Sequence, residues 1–433
     1  MLGFGADALA QTEIPKTRRV VSPAEVTIEK PATKTDADSG PAVKSDPDRE
    51  NRPPVHREQK SVVTGLFVSA SGGTTTVTLS STAAFQPTVF TLANPYRVIV
   101  DLPNVDFQLP ASVARQVAGQ VKAVRFGLMA PGRARLVMDV DRPVRVTATL
   151  SPVAQGSSVV RYTLALVPTT PEAFAAQSRS EPAETAPVPE ASRSAAERAP
   201  GKPVVMIDPG HGGVDGGASG PGSEQEKDIV LAVALELRNR LQAAGRYDVR
   251  MTRTDDRFVS LDQRVEMSAK VGADLFVSIH ADAVPDGVLA DAVHGATVYT
   301  LSEQASSFAA QRLADKENAA DANAGVSLVS AGNEQIDSIL SDLVARETKN
   351  FSLRFRSLLT SRLAAQRLVS REPARSAAFR VLRQPQTPSV LVELGFMTNP
   401  EEVRQMQSSA WRQQVARALA SAVDAYFSET KAR

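Results

Sequence analysis

The sequence predicts two folded parts, a small all-β sandwich over residues 61–168 and an α/β domain over residues 202–433. Short runs of alternating apolar and polar residues, separated by Gly, Pro or Asn, predict the sandwich. Apolar strand-like runs that alternate with helical patterns predict an α/β domain with a largely parallel sheet. The length of 433 residues agrees with two or three domains, at about 100–200 residues for each domain.

The chain before residue 61 has no pattern of a folded domain. Residues 1–10 end in Ala8-Leu9-Ala10, the small-x-small pattern of a signal-peptide cleavage site. We interpret them as the remnant of a signal peptide that starts upstream of Met1, the alternative being a chance Ala-rich start. Residues 11–60 are rich in Pro, Lys, Asp, Glu and Ser and lack hydrophobic periodicity, which predicts a disordered tether.

The first folded part shows four strand-like runs, at residues 61–68, 74–79, 96–102 and 134–140. It contains no cluster of titratable residues, so we expect a binding module rather than an enzyme. Residues 169–201, which follow it, are rich in Pro, Ala, Ser and Glu. This composition predicts a linker that its prolines hold partly extended.

The second part alternates strands and helices. Strands are expected at 204–207, 247–251, 273–279, 296–301 and 389–394. Helices are expected at 227–243, 261–271 and 410–427, and helical segments fill much of 302–367. In an open sheet of this kind, ligands bind beyond the carboxyl ends of the strands.

The composition excludes several classes of protein. Basic and acidic residues are balanced at 49 and 48, whereas a nucleic-acid binder usually has a basic excess. There is no cysteine, which excludes disulfides, thiolate zinc sites and a Cys nucleophile. No apolar run approaches the roughly 20 residues of a membrane span.

Two of the four histidines lie where such a sheet would place a site. His211 follows the first strand within a glycine-rich loop, and His280 ends the strand at 273–279. His56 lies in the predicted tether, and His294 has no comparable setting. A hydrogen-bonded core histidine is the alternative interpretation of either strand-end residue.

Two glutamates have two interpretations each. Glu226 follows Ser223 by three residues, which is the spacing of a helix capping box. Its position just after the His211 loop makes it equally a third metal ligand. Glu393 lies inside an apolar strand, where an unpaired charge is costly. It either pairs with Arg380 or Arg383, or acts as a general base whose pKa the apolar surroundings raise.

These residue types together suit a hydrolytic zinc site. Two histidines and one carboxylate leave zinc with an open fourth position, which is the pattern of catalytic zinc. A second carboxylate nearby completes the equipment for hydrolysis.

Five blocks within residues 202–428 resemble the zinc-dependent N-acetylmuramoyl-L-alanine amidases of the amidase-3 type. They are IDPGHGG (207–213), EKD (226–228), TR (252–253), ADLFVSIHAD (273–282) and VLVELGF (390–396). The resemblance implies zinc ligands at His211, Glu226 and His280 and a catalytic carboxylate at Glu393. It implies a phosphorylase/hydrolase-like α/β fold with a mixed, mostly parallel six-stranded sheet. Asp282 departs mildly from the pattern, since many of these enzymes have Asn there.

The β-rich segment resembles the AMIN domain that precedes many such amidases. The matching runs are YRVIVDL (96–102) and VRFG (124–127). The resemblance implies a peptidoglycan-binding module. The whole chain is similar to the periplasmic cell-division amidases of Gram-negative bacteria, which cut between N-acetylmuramic acid and L-alanine at the septum. Those enzymes are switched on by a partner with a degenerate LytM-type domain.

Two other functions remain open at this stage. A zinc peptidase is disfavoured because the chain has no His-Glu-x-x-His motif. A wall-binding scaffold with an inactive enzyme domain would need a defect at one of the four expected site residues, and all four are present.

The segment of about 85 residues between the strands at 296–301 and 389–394 is longer than one crossover needs. An ordinary helical insertion on the sheet is one interpretation. The resemblance favours a regulatory insertion at about 302–350, with a helix whose carboxylate fills the open zinc position. Glu317 and Asp321 lie four residues apart, on one face of a helix. Glu317 is the favoured residue for this role and Asp321 the alternative.

Overall fold

The computed structural model describes residues 60–153, 158–178, 201–283, 294–326 and 339–431. The predicted signal-peptide remnant, almost all of the predicted tether and most of the predicted linker lie outside these residues. Among the described helices, none is both long and apolar enough to cross a membrane.

The first folded part, called the β-module here (residues 60–178), is a two-layer β-sandwich, as the sequence predicts. Its strands in the described residues are β1 (Ser61–Ser71), β2 (Thr74–Ser81), β3 (Thr88–Leu92), β4 (Arg97–Pro103), β5 (Val105–Phe107), β6 (Val121–Ala130), β7 (Arg133–Val140), β8 (Val144–Pro152) and β9 (Val160–Pro168). One sheet has the order β5-β1-β2-β9-β8 and the other the order β3-β4-β7-β6. A short helix, α1 (Pro171–Ala175), follows β9.

Alternation explains how the sheets pack. In β2 and β9 every second side chain is buried, because one face of their sheet meets the core and the other meets solvent. In β4, by contrast, consecutive residues from Arg97 to Val100 are all buried. The outer face of its sheet is therefore covered as well. Ile99 and Val137 on that face share an apolar cluster with Phe258 and Ala324 of the second part of the chain.

The second folded part (residues 201–431) has a central six-stranded sheet. Its strands are β10 (Val204–Pro209), β11 (Asp248–Met251), β12 (Leu275–Asp282), β13 (Ala296–Leu301), β14 (Val369–Ala377) and β15 (Ser389–Phe396). The order is β11-β10-β12-β15-β13-β14. All neighbours are parallel except β13 and β15, which pair antiparallel. The prediction of a mixed, mostly parallel sheet is confirmed.

Helices cover both faces of this sheet. They are α2 (Glu226–Ala243), α3 (Leu261–Lys270), α4 (Phe308–Asn318), α5 (Ala320–Asn323), α6 (Ile339–Ala365), α7 (Pro400–Gln407) and α8 (Ser409–Lys431). Val205 and Ile207 of β10 pack in the cluster of α2, α6 and α8, whereas Val204 and Met206 pack with α3 and α4. A strand that is buried on both faces contributes to two cores. Burial of each large apolar side chain stabilises the folded state by about 1.5–3 kcal/mol.

Strand β14 is the element of this sheet that the sequence pattern did not predict. It has the sequence VSREPARSA, with a mixture of exposed and half-buried positions. It lies at the edge of the sheet next to β13. An edge strand has one free side, so it tolerates charged residues and a proline that a central strand does not. Helix α7 was also not predicted.

Candidate metal centre and active site

A buried aspartate ties together the carboxyl ends of two central strands. Asp208 accepts hydrogen bonds from Thr252 Oγ1 at 2.6 Å, Ser278 Oγ at 2.7 Å and the Arg264 guanidinium at 2.6 Å. Burial disfavours the carboxylate, but Arg264 and these bonds outweigh it and lower the pKa of Asp208. These bonds hold the end of β10 in place, and with it the start of the loop that carries His211.

The glycine-rich loop brings two histidine rings together. A Cβ atom on Gly210 would lie 2.3–2.7 Å from three ring atoms of His280, so only glycine fits there. The Arg253 guanidinium donates to the carbonyls of Pro209 at 3.0 Å and Gly210 at 2.8 Å and holds the loop in this path. The rings of His211 and His280 end 4.9 Å apart, nearly perpendicular to each other.

Four donor atoms converge beside these rings. Glu226 Oε1 lies 3.0 Å from His211 Nε2 and 3.2 Å from His280 Nδ1. Glu317 Oε2 lies 3.2 Å from the same two nitrogens. The two histidines and Glu317 are also recognisable by geometry alone as a group able to hold a metal ion. All four side chains are buried.

Neighbouring groups orient two of these donors. Asp215 Oδ2 lies 2.8 Å from His211 Nδ1, the ring nitrogen that faces away from the cluster. Glu226 accepts backbone N–H bonds from Ala218 at 2.8 Å and Ala281 at 2.9 Å. A carboxylate on the second nitrogen of a histidine sets its tautomer and ring orientation, as is common for metal ligands.

The charges at the cluster strongly shift the pKa values of its members. Burial disfavours the charged imidazoles, but surrounding carboxylates outweigh it. They raise the pKa of His211 well above its ordinary value and that of His280 to about 9. The pKa of Glu317 is held well below its ordinary range, because Lys316 and the two histidines outweigh its burial. The cluster as a whole favours positive charge at its centre.

Glu393 differs from the other carboxyls of the site. It is 2% exposed, and among the described residues neither of its oxygens has a hydrogen-bond partner. Burial, and then the neighbouring Asp282, raise its pKa well above the ordinary value. Such a carboxyl keeps or accepts a proton near neutral pH, which is what a general acid or base needs.

Both structural alternatives considered for the two glutamates are wrong. Helix α2 begins at Glu226 with Gln225 as its N-cap, so Ser223 and Glu226 form no capping box. Arg380 pairs with Asp262 and Asp321, and Arg383 with Glu303, so neither arginine neutralises Glu393.

The structure separates the two acids of the predicted inhibitory helix. Glu317, near the end of α4, reaches the two histidines. Asp321 belongs to α5, and its side chain reaches the start of α3 instead. It accepts the backbone N–H of Leu261, the first residue of α3, at 2.9 Å. His294 is exposed just before β13, and His56 lies outside the described residues.

Sequence reasoning missed two residues of the site. Asp215, which orients His211, lies four residues after it in the same glycine-rich loop, and this spacing was the available signal. Lys316 pairs with Glu317 Oε1 at 3.1 Å and with Asp282 Oδ1 at 3.4 Å. No motif marks Lys316, because its role depends on where α4 docks.

The site combines a cluster of imidazole and carboxylate donors with a carboxyl that can hold a proton, and it lies at the carboxyl edge of an α/β sheet. These features together are typical of a hydrolase. Residues 205–425 match the family described as N-acetylmuramoyl-L-alanine amidase, and residues 66–165 match the AMIN domain. The chain therefore belongs to the N-acetylmuramoyl-L-alanine amidase family and carries an AMIN domain before its catalytic domain.

Two relatives, compared by sequence, support this assignment. The N-acetylmuramoyl-L-alanine amidase AmiC of Neisseria meningitidis is 35% identical over 81% of this chain and 86% of its own length. The amidase AmiA of Escherichia coli K12 is 42% identical over 54% of this chain and 80% of its own length. Among solved structures, the amidase AmiC2 of Nostoc punctiforme is 29% identical, with a TM-score of 0.38, over 53% of this chain and 98% of that chain.

Proposed function

We propose that this peptidoglycan amidase works with one zinc ion, held by His211, Glu226 and His280, and with Glu393 as its proton-transferring group. The reaction is hydrolysis of the amide bond between N-acetylmuramic acid and L-alanine, which releases the stem peptide. The observation that carries the proposal is the convergence of four donor atoms, in which each histidine nitrogen lies 3.0–3.2 Å from one oxygen of Glu226 and one oxygen of Glu317.

The donor set fits zinc. A tetrahedral site with bonds of about 2.0 Å has donor-to-donor edges of about 3.3 Å, close to the four nitrogen-to-oxygen distances of this cluster. Two of the buried donors, His211 Nε2 and Glu317 Oε2, have no hydrogen-bond partner within the described residues. Two carboxylates that face the same pair of imidazole nitrogens also favour a cation between them. When bound, zinc supplies a Lewis acid for the amide carbonyl.

Glu393 supplies the proton chemistry. The ionised carboxylate of Glu393 takes a proton from the attacking water, binds it firmly because its pKa is raised, and delivers it to the departing amine of L-alanine. The amide C–N bond breaks, a carboxylic acid remains on the lactyl group, and a free amine appears on the peptide. The charge of Asp282, whose own pKa burial raises to about 6, raises the pKa of Glu393 further. Glu393 therefore keeps the proton that it has accepted until it delivers it to the amine.

Glu317 makes the described arrangement an inhibited one. Its Oε2 occupies the fourth donor position, where a substrate carbonyl or water would otherwise come. Lys316 strengthens the docking by pairing with Asp282. Activation then requires α4 to leave the site, and a partner that binds the displaced helix more tightly than the docked one shifts the population. A protein with a degenerate LytM-type domain is the partner that we propose.

The β-module adds a targeting role. The match of residues 66–165 to the AMIN domain supports a wall-binding function. We place the protein in the periplasm at the division septum, where removal of stem peptides separates daughter cells.

The deciding experiment is product analysis on purified peptidoglycan, together with the zinc content of the purified protein. Zinc at one ion per chain and free stem peptides with an L-alanine amino terminus are expected. Cleavage at a different amide would identify a zinc peptidase instead. A folded, zinc-loaded protein that releases nothing, even after Glu317→Ala, would identify a wall-binding scaffold.

A further inference from the structure

The β-module contacts the inhibitory segment directly. The outer face of its sheet β3-β4-β7-β6 carries Phe90, Ile99 and Val137, which are all nearly or fully buried. Together with Arg97 and Arg135 these residues are called the docking face below. The residues that they meet include Ala324, which ends helix α5 and is fully buried.

Two buried arginines of the docking face bind the end of α5. Arg135 is 3% exposed and donates to the carbonyls of Gly325 at 2.8 Å and Ala324 at 3.3 Å. Arg97 donates to the carbonyl of Ala322. The carbonyls of Ala324 and Gly325 follow the last turn of α5, where a helix leaves acceptors without a partner of its own, so cationic donors suit them. The carbonyl of Ala322 also accepts the backbone N–H of Gly325.

The position of Arg135 is itself fixed by the module. Asp101 accepts from its Nε at 2.6 Å and from its Nη2 at 2.9 Å. Its guanidinium also lies over the Phe90 ring, 5.6 Å from the centroid. The arginine is therefore held in place for the segment and does not reach across solvent to find it.

At Gly325 the segment lies against the docking face in a backbone conformation that favours glycine. Its φ angle is +70°, and a Cβ atom there would lie 2.6 Å from Ile99 Cδ1. A residue larger than glycine would therefore strain the backbone here and push the end of the Ile99 side chain aside.

A second set of contacts fixes the module to the loops of the active site. The carbonyl of Leu128 in β6 accepts the backbone N–H of Phe258 at 3.0 Å. A Cβ atom on Gly127 would lie 2.2 Å from the backbone of Gly213, two residues after His211. The module thus rests on the loop that carries His211 and holds the end of the segment that carries Glu317.

We infer that the β-module is an intramolecular lock, whose docking face holds residues 308–325 on the active site and so keeps Glu317 docked. The inference rests on the proposed inhibitory role of Glu317. Loss of the arginine contacts lowers the stability of the docked state relative to the displaced one. The population of free active sites then rises, and so does basal activity, although no residue near the chemistry has changed.

The test uses the full chain with Arg97→Gln and Arg135→Gln combined, and separately Gly325→Ala. The second variant leaves the module unchanged and so covers the case in which loss of both arginines unfolds it. Arg142→Gln is the matched control, because Arg142 makes two similar bonds to Asp141, at 3.1 and 3.3 Å, and is exposed in the turn that follows β7. Peptidoglycan release without activator and deuterium uptake of residues 308–325 are measured.

The double arginine variant and Gly325→Ala are called the lock variants. We expect their basal release of stem peptides to rise on the order of 10-fold, because one lost hydrogen bond to a charged group shifts an equilibrium by about that factor. Deuterium uptake in residues 308–325 should also become faster. The control should match the wild type in both. In a Glu317→Ala background the lock variants should add no further activity. Wild-type activity and uptake in both folded lock variants would overturn the lock. Failure of Glu317→Ala itself to raise activity would instead reject the inhibitory role on which the lock depends.

Discussion

His280 and Glu393 lie directly opposite each other in the parallel ladder of β12 and β15. Opposed residues on neighbouring strands point to the same side of a sheet, with backbones about 4.8 Å apart. The pairing register therefore places a candidate metal ligand beside the candidate proton carrier. Both residues lie within strands and not in loops. The hydrogen-bonded sheet therefore fixes the distance between the His280 and Glu393 side chains.

This relationship predicts the effect of Glu393→Gln. The amide keeps the size of the side chain but cannot transfer a proton, so turnover should fall by at least about 100-fold. The fold and the zinc content should not change, because the Glu393 oxygens make no hydrogen bond within the described residues. Activity on purified peptidoglycan and thermal unfolding measure the two effects. Near-normal hydrolysis by this variant would reject the role of Glu393.

The proposed ligand set predicts that His211→Ala and His280→Ala each lose both zinc and activity. Each substitution removes one of three permanent donors, and the remaining two cannot hold the ion at the same affinity. Metal analysis of purified variants measures the loss directly, with Glu393→Gln as the zinc-loaded but inactive control. Full zinc retention in both histidine variants would show that the metal is held elsewhere.

The docking of Glu317 predicts a gain of function. Glu317→Ala should raise basal activity roughly 5- to 100-fold, the usual size of a regulatory coupling, while zinc stays bound. Asp315→Ala is the control, because Asp315 lies on the same helix but is exposed, and the partner that the described residues give it is Gln311, one turn away. Adding Asp321→Ala should destabilise the segment further, by about 1 kcal/mol for loss of a bond to a helix N-terminus. Wild-type basal activity in the folded, zinc-loaded double variant would rule out this pair of acids.

The β-module is predicted to bind peptidoglycan without cutting it. Residues 61–168 should sediment with purified sacculi, and the inactive Glu393→Gln chain should do so more strongly than a chain that lacks the module. Cellulose particles serve as the control for nonspecific adhesion, because the isolated module exposes Ile99 and Val137. A module that remains in the soluble fraction with sacculi would count against a targeting role.

Local patterns were sufficient to predict the central strands of the second part and the carboxyl-end position of the site. In the β-module they predicted β1, β2, β4 and β7 but missed β3, β5, β6, β8 and β9. Strands such as β10 and β12 are apolar because helices cover both of their faces, and that property is visible in the residues themselves. Strand β14 was missed for the converse reason. Its free edge allows Arg371, Glu372 and Arg375, and these resemble a loop when only the sequence is seen.

Long-range packing determined what the sequence could not predict. Glu317 and Asp321 have the spacing of one helix face, but the helix is interrupted at Ala319, and α5 turns Asp321 towards the start of α3. The contacts of Arg97 and Arg135 with residues 322–325 join positions about 190–225 apart in the chain. No motif records a partner at that separation.

The alternation of side chains in β10 limits changes in the number of its residues as well as changes in their type. Val204 and Met206 belong to one core, Val205 and Ile207 to the other, and Asp208 and His211 follow at a fixed distance. Deleting a single residue from β10 would exchange the two sets between the cores, because the side-chain period of a strand is two. The same deletion would carry Asp208 away from Arg264, Thr252 and Ser278. Evolution can therefore change the volume of these side chains with far more freedom than it can change their number.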